Sequence, residues 1–201
     1  TYETNKINLL SNPTSLYSKQ PTVYYGLMYL AKNAKKEVKI HTPYIICNDY
    51  MYNELKNIKV PTTIMTNSAE NNGNIFGAVD YLNHKKDIIN TGVTIKEYEG
   101  GISYHGKSMT IDDDIAIVGS FNMDMRSAYI DTELMLVINS KDINKQLKAS
   151  MEEYEKKAAT VKNETEYSHI PEGMKMKELS DKKKNIKAWF GWAMNGLRFL
   201  F

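Results

Sequence analysis

Residues 105–122 constrain the fold more than any other stretch of the chain. Apolar residues alternate with polar ones on both sides of an acidic turn at 112–114, which predicts two strands joined as a hairpin. In an extended chain, residues two positions apart lie on the same side. Four polar residues are therefore expected to converge at the open end of this hairpin: His105, Lys107, Ser120 and Asn122.

These side chains place an imidazole, an ammonium, a hydroxyl and a carboxamide around one small volume. The ligand that such a set fits best is an anion, above all a phosphate. Asp112 lies at an odd separation from His105, so a regular strand turns its side chain away, and we expect it to bond the turn. The acidic run at 112–114 could suggest a metal, but consecutive acids at a turn more often face water. Gly106 and Gly119 would allow close backbone approach.

The full pattern, H-x-K-x4-D-x6-G-S-x-N, resembles the HKD signature of the phospholipase D superfamily. The resemblance covers about residues 7–140, and its flanks are similar to the C-terminal half of a bacterial cardiolipin synthase. The supporting segments are Thr42-Pro-Tyr-Ile-Ile, Met65-Thr-Asn67-Ser68, Gly92-Val-Thr-Ile-Lys-Glu97-Tyr, Asn122-Met-Asp124-Met-Arg126-Ser127 and Thr132-Glu133. The resemblance implies an α/β sandwich with a mixed central sheet flanked by helices, a class that the alternation of predicted strands and helices also favours.

The same resemblance implies a two-step phosphodiester reaction through a phosphohistidine, without metal or other cofactor. His105 would be the reactive imidazole, while Lys107 and Asn122 would contact phosphate oxygens. Ser120 would orient this network, although a structural hydroxyl fits the position nearly as well. Glu133 lies eleven residues after Asn122, where the family places an acid that holds its histidine by the far ring nitrogen.

Two further acids complete the comparison with the family pattern. Asp112 is the motif's aspartate and belongs to the candidate catalytic set, with the architectural role that its spacing indicates. Asp131 stands where the family commonly has asparagine, a departure that affects the fine structure of the site.

One motif supplies one histidine, whereas the reaction implied by the resemblance uses two. The other histidines are His41, His84 and His169. Only the segment that begins at His84 reads H-x-K, and it lacks the aspartate and the G-S-x-N that should follow. We therefore expect half of a site, completed by an N-terminal domain of the same protein or by a second copy around a two-fold axis. The flanks favour the N-terminal domain, and a start at Thr1 fits either initiator removal or excision from a longer chain.

Composition sets broader limits. The 201 residues fit one domain, and 42% hydrophobic with 25% charged residues is typical of a globular protein. A net charge of +2 argues neither for nor against nucleic acid as a partner. A single cysteine, Cys47, excludes an internal disulfide and fits a reducing compartment. No signal peptide or apolar run of 18 residues is visible, so we expect a cytoplasmic protein, or one peripheral at the cytoplasmic face of the membrane.

Periodicity predicts the remaining elements. Strands are expected at 7–10, 37–42, 61–66, 93–98 and 131–139, and helices at 21–35, 49–55, 76–89, 141–159 and 181–201. Apolar residues on both faces of 131–139 predict a central, covered strand. The polar segment 67–74 is a loop that either shapes access to the site, as the resemblance implies, or is a solvated connection. Residues 160–180 are predicted to be irregular.

We expect a catalytic half-domain over 1–160, followed by a polar linker and an amphipathic helix over 161–201. The apolar side of this last helix comprises Ile186, Trp189, Phe190, Ala193, Leu197, Leu200 and Phe201. The helix could cap the core, bind a partner domain, or bring 182–201 to an anionic membrane surface with the lysines at 182–184 toward it. Packing against protein is the commoner outcome.

Three functions remain open. The first is phosphatidyl transfer, as in cardiolipin synthesis, or phospholipid hydrolysis, with a phosphatidylglycerol-like substrate. The second is a nuclease formed by two single-motif copies, which balanced charge and few clustered arginines disfavour. The third is a non-catalytic half that binds lipid headgroups, which the intact motif argues against.

Overall fold

The structure is a computed structural model that describes residues 2–14, 20–190, 196 and 198–200. The strands are β1 (Lys6–Ser11), β2 (Val38–His41), β3 (Ile45–Ile46), β4 (Thr62–Asn67), β5 (Thr94–Tyr98), β6 (Ser108–Ile111), β7 (Ile115–Gly119), β8 (Met123–Asp124), β9 (Leu134–Asn139), β10 (Ala158–Val161) and β11 (Tyr167–His169). The helices are α1 (Thr22–Lys32), α2 (Asp49–Lys56), α3 (Ile75–Ile89), α4 (Met125–Tyr129), α5 (Lys141–Glu155) and α6 (Asp181–Phe190), with a 3₁₀ turn at Arg198–Leu200.

One mixed sheet dominates the described residues, with strand order β1-β9-β7-β6-β2-β4-β5-β10-β11. Strands β2, β4 and β5 are parallel, and the others pair antiparallel to their neighbours. The short strands β3 and β8 form a separate parallel pair. The expected α/β class with a mixed sheet is therefore confirmed. The prediction of a central position for residues 131–139 was wrong, because β9 lies next to the edge strand β1, and Leu134 is exposed.

Helices cover both faces of the sheet. On one face, Lys39 and His41 of β2 reach Glu152 and Glu155 of α5. On the other, Ile40 shares a small apolar void with residues of α1. Four helices begin at a side chain that accepts backbone N–H groups: Asn48, Asn74, Asp124 and Ser140.

The C-terminal part differs most from prediction. Helix α5 ends at Glu155 instead of continuing to 159, and Ala158 lies in strand β10. Residues 160–180 are not wholly irregular, because β10 and β11 extend the free edge of β5. The predicted division at 160 therefore falls inside a strand. Within the described residues, no helix is long and apolar enough to cross a membrane.

The last helix was predicted over 181–201, and α6 covers its first half. Residues 191–195, 197 and 201 lie outside the described part, with Ala193, Leu197 and Phe201 among them. Lys183 does not face solvent with its neighbours: it is 7% exposed, and its Nζ donates to the carbonyls of Ala69, Glu70 and Asn72. Trp189 is 77% exposed.

The predicted hairpin forms between β6 and β7, with the turn at 112–114. Asp112 adopts a positive φ of 51°, and its carboxylate accepts the backbone N–H groups of Lys35, Lys36 and Glu37. These bonds hold the pKa of Asp112 below its ordinary value, although partial burial acts in the opposite direction. Asp112 thus ties the turn to the loop before β2, at the opposite end of β6 from His105.

Candidate active site

The sheet topology brings the candidate residues other than Asp112 to one end of the strands β6, β7 and β9. His105 and Lys107 precede β6, and Ser120 follows β7, which is antiparallel to β6. Glu133 precedes β9, which is antiparallel to β7, so it reaches the same end. At Gly119, a side chain would collide with the carbonyl oxygen of residue 134, which explains glycine at this close approach.

His105 and Lys107 contact each other directly. The Nζ of Lys107 lies 2.8 Å from His105 Nδ1 and donates to the His105 carbonyl at 2.8 Å. The strand was predicted to include both residues, whereas β6 begins only at Ser108. Lys107 still accepts the backbone N–H of Gly119 through its carbonyl, while its side chain folds back onto the histidine.

Electrostatics favours a neutral imidazole in the unliganded site. Partial burial lowers the pKa of His105, and the adjacent Lys107 ammonium lowers it further. Burial also lowers the pKa of Lys107, which the carboxylates of Glu133 and Asp124 partly oppose. A neutral ring beside a desolvated cation is suited to attack on, or proton exchange with, a bound anion.

Glu133 is 7% exposed and is the acceptor of a serine network. Ser120 Oγ donates to one of its oxygens, and Ser127 Oγ donates to the other at 2.9 Å. The predicted hydrogen bond from the His105 ring to Glu133 is not formed: the ring contacts Lys107 through Nδ1, and both carboxylate oxygens of Glu133 accept serine hydroxyls. Ser127, which was not among the predicted site residues, links Glu133 to Asn122.

Asn122 is fixed by the same serine. Its Nδ2 and its backbone N each lie 3.3 Å from Ser127 Oγ. Its buried Oδ1 has no hydrogen-bond partner among the described residues. Ser127 uses one of the two N–H groups of Nδ2, which leaves the other available to donate to a ligand.

Asp124 is a further buried acid that prediction did not assign. It accepts the backbone N–H of Ser127 at 2.6 Å and begins helix α4. Burial raises the pKa of Asp124 to about 6, despite the hydrogen bonds from Ser127. Asp131, the departure from the family pattern, pairs instead with Arg126 on the surface.

Asn67 holds the backbone immediately before His105. Its Oδ1 accepts the N–H of Tyr104 at 2.7 Å, and its Nδ2 donates to the Tyr104 carbonyl at 2.9 Å. The same amide also bonds Asn71 and the carbonyl of Pro43, so its four bonding positions are used. The segment 67–74, predicted as a loop near the site, thus contacts the reactive segment directly. From the sequence, Asn67 was identified only as part of the family segment Met65-Thr-Asn67-Ser68, without a role of its own.

The other histidines do not supply a second motif. His41 is buried and bonds Glu155, and His84 bonds Asp87 on helix α3. His169 lies in β11, at the far edge of the sheet. Tyr44 contributes a ring at 6.1 Å from the His105 ring, in an edge-to-face arrangement.

The family model and the curated relatives that this chain matches point to the same family. Residues 27–154 match the family described as "Cardiolipin synthase, PLD-like domain". Cardiolipin synthase 1 from Staphylococcus epidermidis is 30% identical over 159 residues, which is 78% of this chain and 32% of that protein. A cardiolipin synthase from Staphylococcus aureus is 31% identical over 129 residues, 63% of this chain and 26% of that protein. The chain thus spans about a third or less of these curated relatives.

Solved structures share the fold. Phosphatidylserine synthase from Haemophilus influenzae superposes with a TM-score of 0.69 at 15% identity, covering 97% of this chain and 48% of that one. The phospholipase D family member Nuc from Salmonella typhimurium gives 0.61 at 16% identity, covering 78% of this chain and 97% of that one. At such identities the likeness shows the fold alone.

Proposed function

Because this chain belongs to the cardiolipin synthase family of phospholipase D-like domains, we propose that it forms half of an active site for phospholipid headgroup transfer. The observation that supports this most is the contact between Lys107 Nζ and His105 Nδ1, at 2.8 Å, at the edge where the motif residues meet. Lys107 can only donate, so in this contact the neutral ring accepts at Nδ1; a bound phosphate that draws the ammonium to itself would gain a cation as partner and free that nitrogen for attack or proton transfer.

The proposed reaction has two steps. An imidazole nitrogen attacks phosphorus, the bond from phosphorus to the leaving oxygen breaks, and a second, protonated imidazole gives that oxygen its proton. The incoming alcohol or water then gives its proton to the second imidazole and attacks phosphorus, so that the bond from phosphorus to the first imidazole breaks and that imidazole is released. Lys107 and Asn122 would contact the phosphate oxygens. Glu133, through Ser120 and Ser127, would keep Asn122 in place.

His105 has one of the two imidazole roles. Its lowered pKa favours the neutral form, which is required for attack. The family pattern instead makes the histidine of a C-terminal motif the acid, and bound phosphate would raise its pKa toward that role. Trapping the covalent intermediate and locating the phosphorylated histidine distinguishes the two assignments.

The second imidazole would come from another half. A preceding domain of the same protein is favoured by the flanking segments, and a second copy of this chain is the alternative. A phosphatidylglycerol-like lipid is the proposed donor. Contact between 182–201 and a membrane surface is proposed through exposed residues such as Trp189, without Lys183, whose ammonium is engaged by carbonyls.

The assembled enzyme is this chain together with the half that supplies the second imidazole. It should be assayed separately with labelled phosphatidylglycerol and with single-stranded DNA. We expect transfer or hydrolysis of the lipid and no cleavage of DNA. Cleavage of DNA with no reaction of any phospholipid would support the nuclease instead. If neither the chain with a preceding domain nor a pair of chains turns over lipid, but lipid headgroups still bind, the non-catalytic function would be supported.

A further inference from the structure

A cleft of about 650 Å³ opens beside the candidate phosphate position, between the segment before β6 and helix α5. Its lining begins with His105 and Lys107 and continues along α5 through Leu147, Met151 and Tyr154. This volume lies within the range of small-molecule binding sites. The cleft is continuous with the motif residues, so a ligand whose phosphate contacts His105 could extend into it.

The charged side chains that line this cleft in the described part of the chain are all cationic. Its cationic groups are Lys107, Lys157 and, when protonated, His105, and none of the described residues that line it is Asp or Glu. Lys157 lines the cleft and is exposed. A concave surface with cations and no carboxylate favours an anionic ligand.

The remaining walls are aromatic and aliphatic. Tyr154 packs edge to face against Tyr104 at 4.8 Å and against Tyr98 at 5.9 Å between ring centroids. Periodicity predicts Leu147 and Tyr154 on the buried stripe of α5, yet Leu147 is only half-buried and Tyr154 is 42% exposed. Both line the cleft, so this part of the stripe is available to an apolar portion of a ligand.

We infer that this cleft binds the glycerol backbone and the first acyl-chain methylenes of an anionic glycerophospholipid whose phosphate contacts His105 and Lys107. This inference rests on the proposed function and adds which part of the lipid is recognised. Single-stranded nucleic acid also combines phosphates with apolar rings. The accessible aliphatic side chains of Leu147 and Val118 favour methylene groups over bases.

The test titrates dihexanoyl phosphatidylglycerol, below its micelle concentration, into this chain and follows binding by NMR. Tyr154→Ala and Leu147→Gln should each weaken binding about tenfold, the scale expected for losing one apolar contact surface. Tyr29→Ala removes an exposed tyrosine of α1 outside the cleft lining and should leave binding unchanged. Deacylated glycerophosphoglycerol should bind more weakly than the lipid and should not respond to Tyr154→Ala.

Several results would overturn the inference. These are no lipid binding by the unsubstituted chain, equal lipid affinity in the two cleft variants, or cleft variants that weaken only an oligonucleotide or only association with the second half. Thermal unfolding is measured to check that each variant is folded. If one of the two cleft variants does not fold, the other still tests the inference. Failure of the proposed function looks different, because the assembled enzyme would then turn over no phospholipid with or without the substitutions.

Discussion

Both ends of the β6–β7 hairpin carry polar residues of the motif, but these residues are bonded very differently at the two ends. At the turn end, Asp112 accepts three backbone N–H groups and its pKa is lowered. At the open end, His105 and Lys107 both have lowered pKa values, and the buried Oδ1 of Asn122 has no partner among the described residues. The turn end stabilises the charged form of its acid, whereas the open end disfavours its own charges.

This difference separates architecture from chemistry within one motif. A carboxylate that receives several N–H bonds lowers the free energy of the fold and has little affinity left for a ligand. Cations that are partly desolvated and incompletely matched gain most when an anion arrives. The contrast predicts that substitutions at the open end affect activity and those at the turn end affect stability.

The largest effect is expected from His105→Ala. In the assembled enzyme it should reduce kcat by at least about 10³-fold, because no other side chain can replace an imidazole that attacks or transfers a proton. His105 is exposed, so the melting temperature should change little. Activity near that of the unsubstituted enzyme would remove His105 from the mechanism.

Asp112→Ala should destabilise the chain by about 1–3 kcal/mol, because it removes the acceptor of three N–H groups at a residue with positive φ. Activity per folded molecule should be retained. The matched control is Asp112→Asn, which tolerates the same φ and keeps one acceptor oxygen, and it should lose less stability in chemical denaturation. A large loss of kcat with unchanged stability would place Asp112 in the chemistry instead.

Asp124 gives the open end a pH dependence of its own. Its raised pKa, about 6, means that the folded chain binds its proton more tightly than the unfolded chain. The resulting stabilisation is fully present below the unfolded pKa near 4 and is lost as pH rises through about 6. Asp124→Asn keeps an acceptor for Ser127 without ionising, so its stability relative to the unsubstituted chain should improve by about 1–3 kcal/mol between pH 4 and 7.5. A constant difference across this range would contradict the assignment.

The smallest effect concerns the histidine titration. Lys107→Met removes a cation and a donor to His105 Nδ1, so the pKa of His105 should rise toward its ordinary value. NMR titration of the ring measures this directly, and Lys157→Met, at another part of the cleft lining, is the control. An unchanged or lowered pKa would show that the two residues do not interact in solution.

The sequence predicts the hairpin and the edge where the motif residues meet, because alternation and turn chemistry are local. It does not predict what depends on tertiary register. Asn67 reaches Tyr104 only because β4 ends at the edge where the segment before β6 passes. Glu133 was expected to accept a hydrogen bond from His105. It accepts instead from Ser120 and Ser127, whose positions depend on how the chain after β7 returns to β9.

The central claim is that this chain is half of a site, and the most direct test is the activity of a verified monomer. Monomeric chain, confirmed by light scattering, is incubated with fluorescent phosphatidylglycerol over a range of protein concentrations. We predict activity at least about 10²–10⁴-fold below that of the assembled enzyme, because one of the two imidazoles, the nucleophile or the general acid, is missing, and general acid catalysis alone contributes about this factor. If two copies form the site, activity should rise with the square of concentration and appear with dimer. Full specific activity that is proportional to monomer concentration would contradict the account.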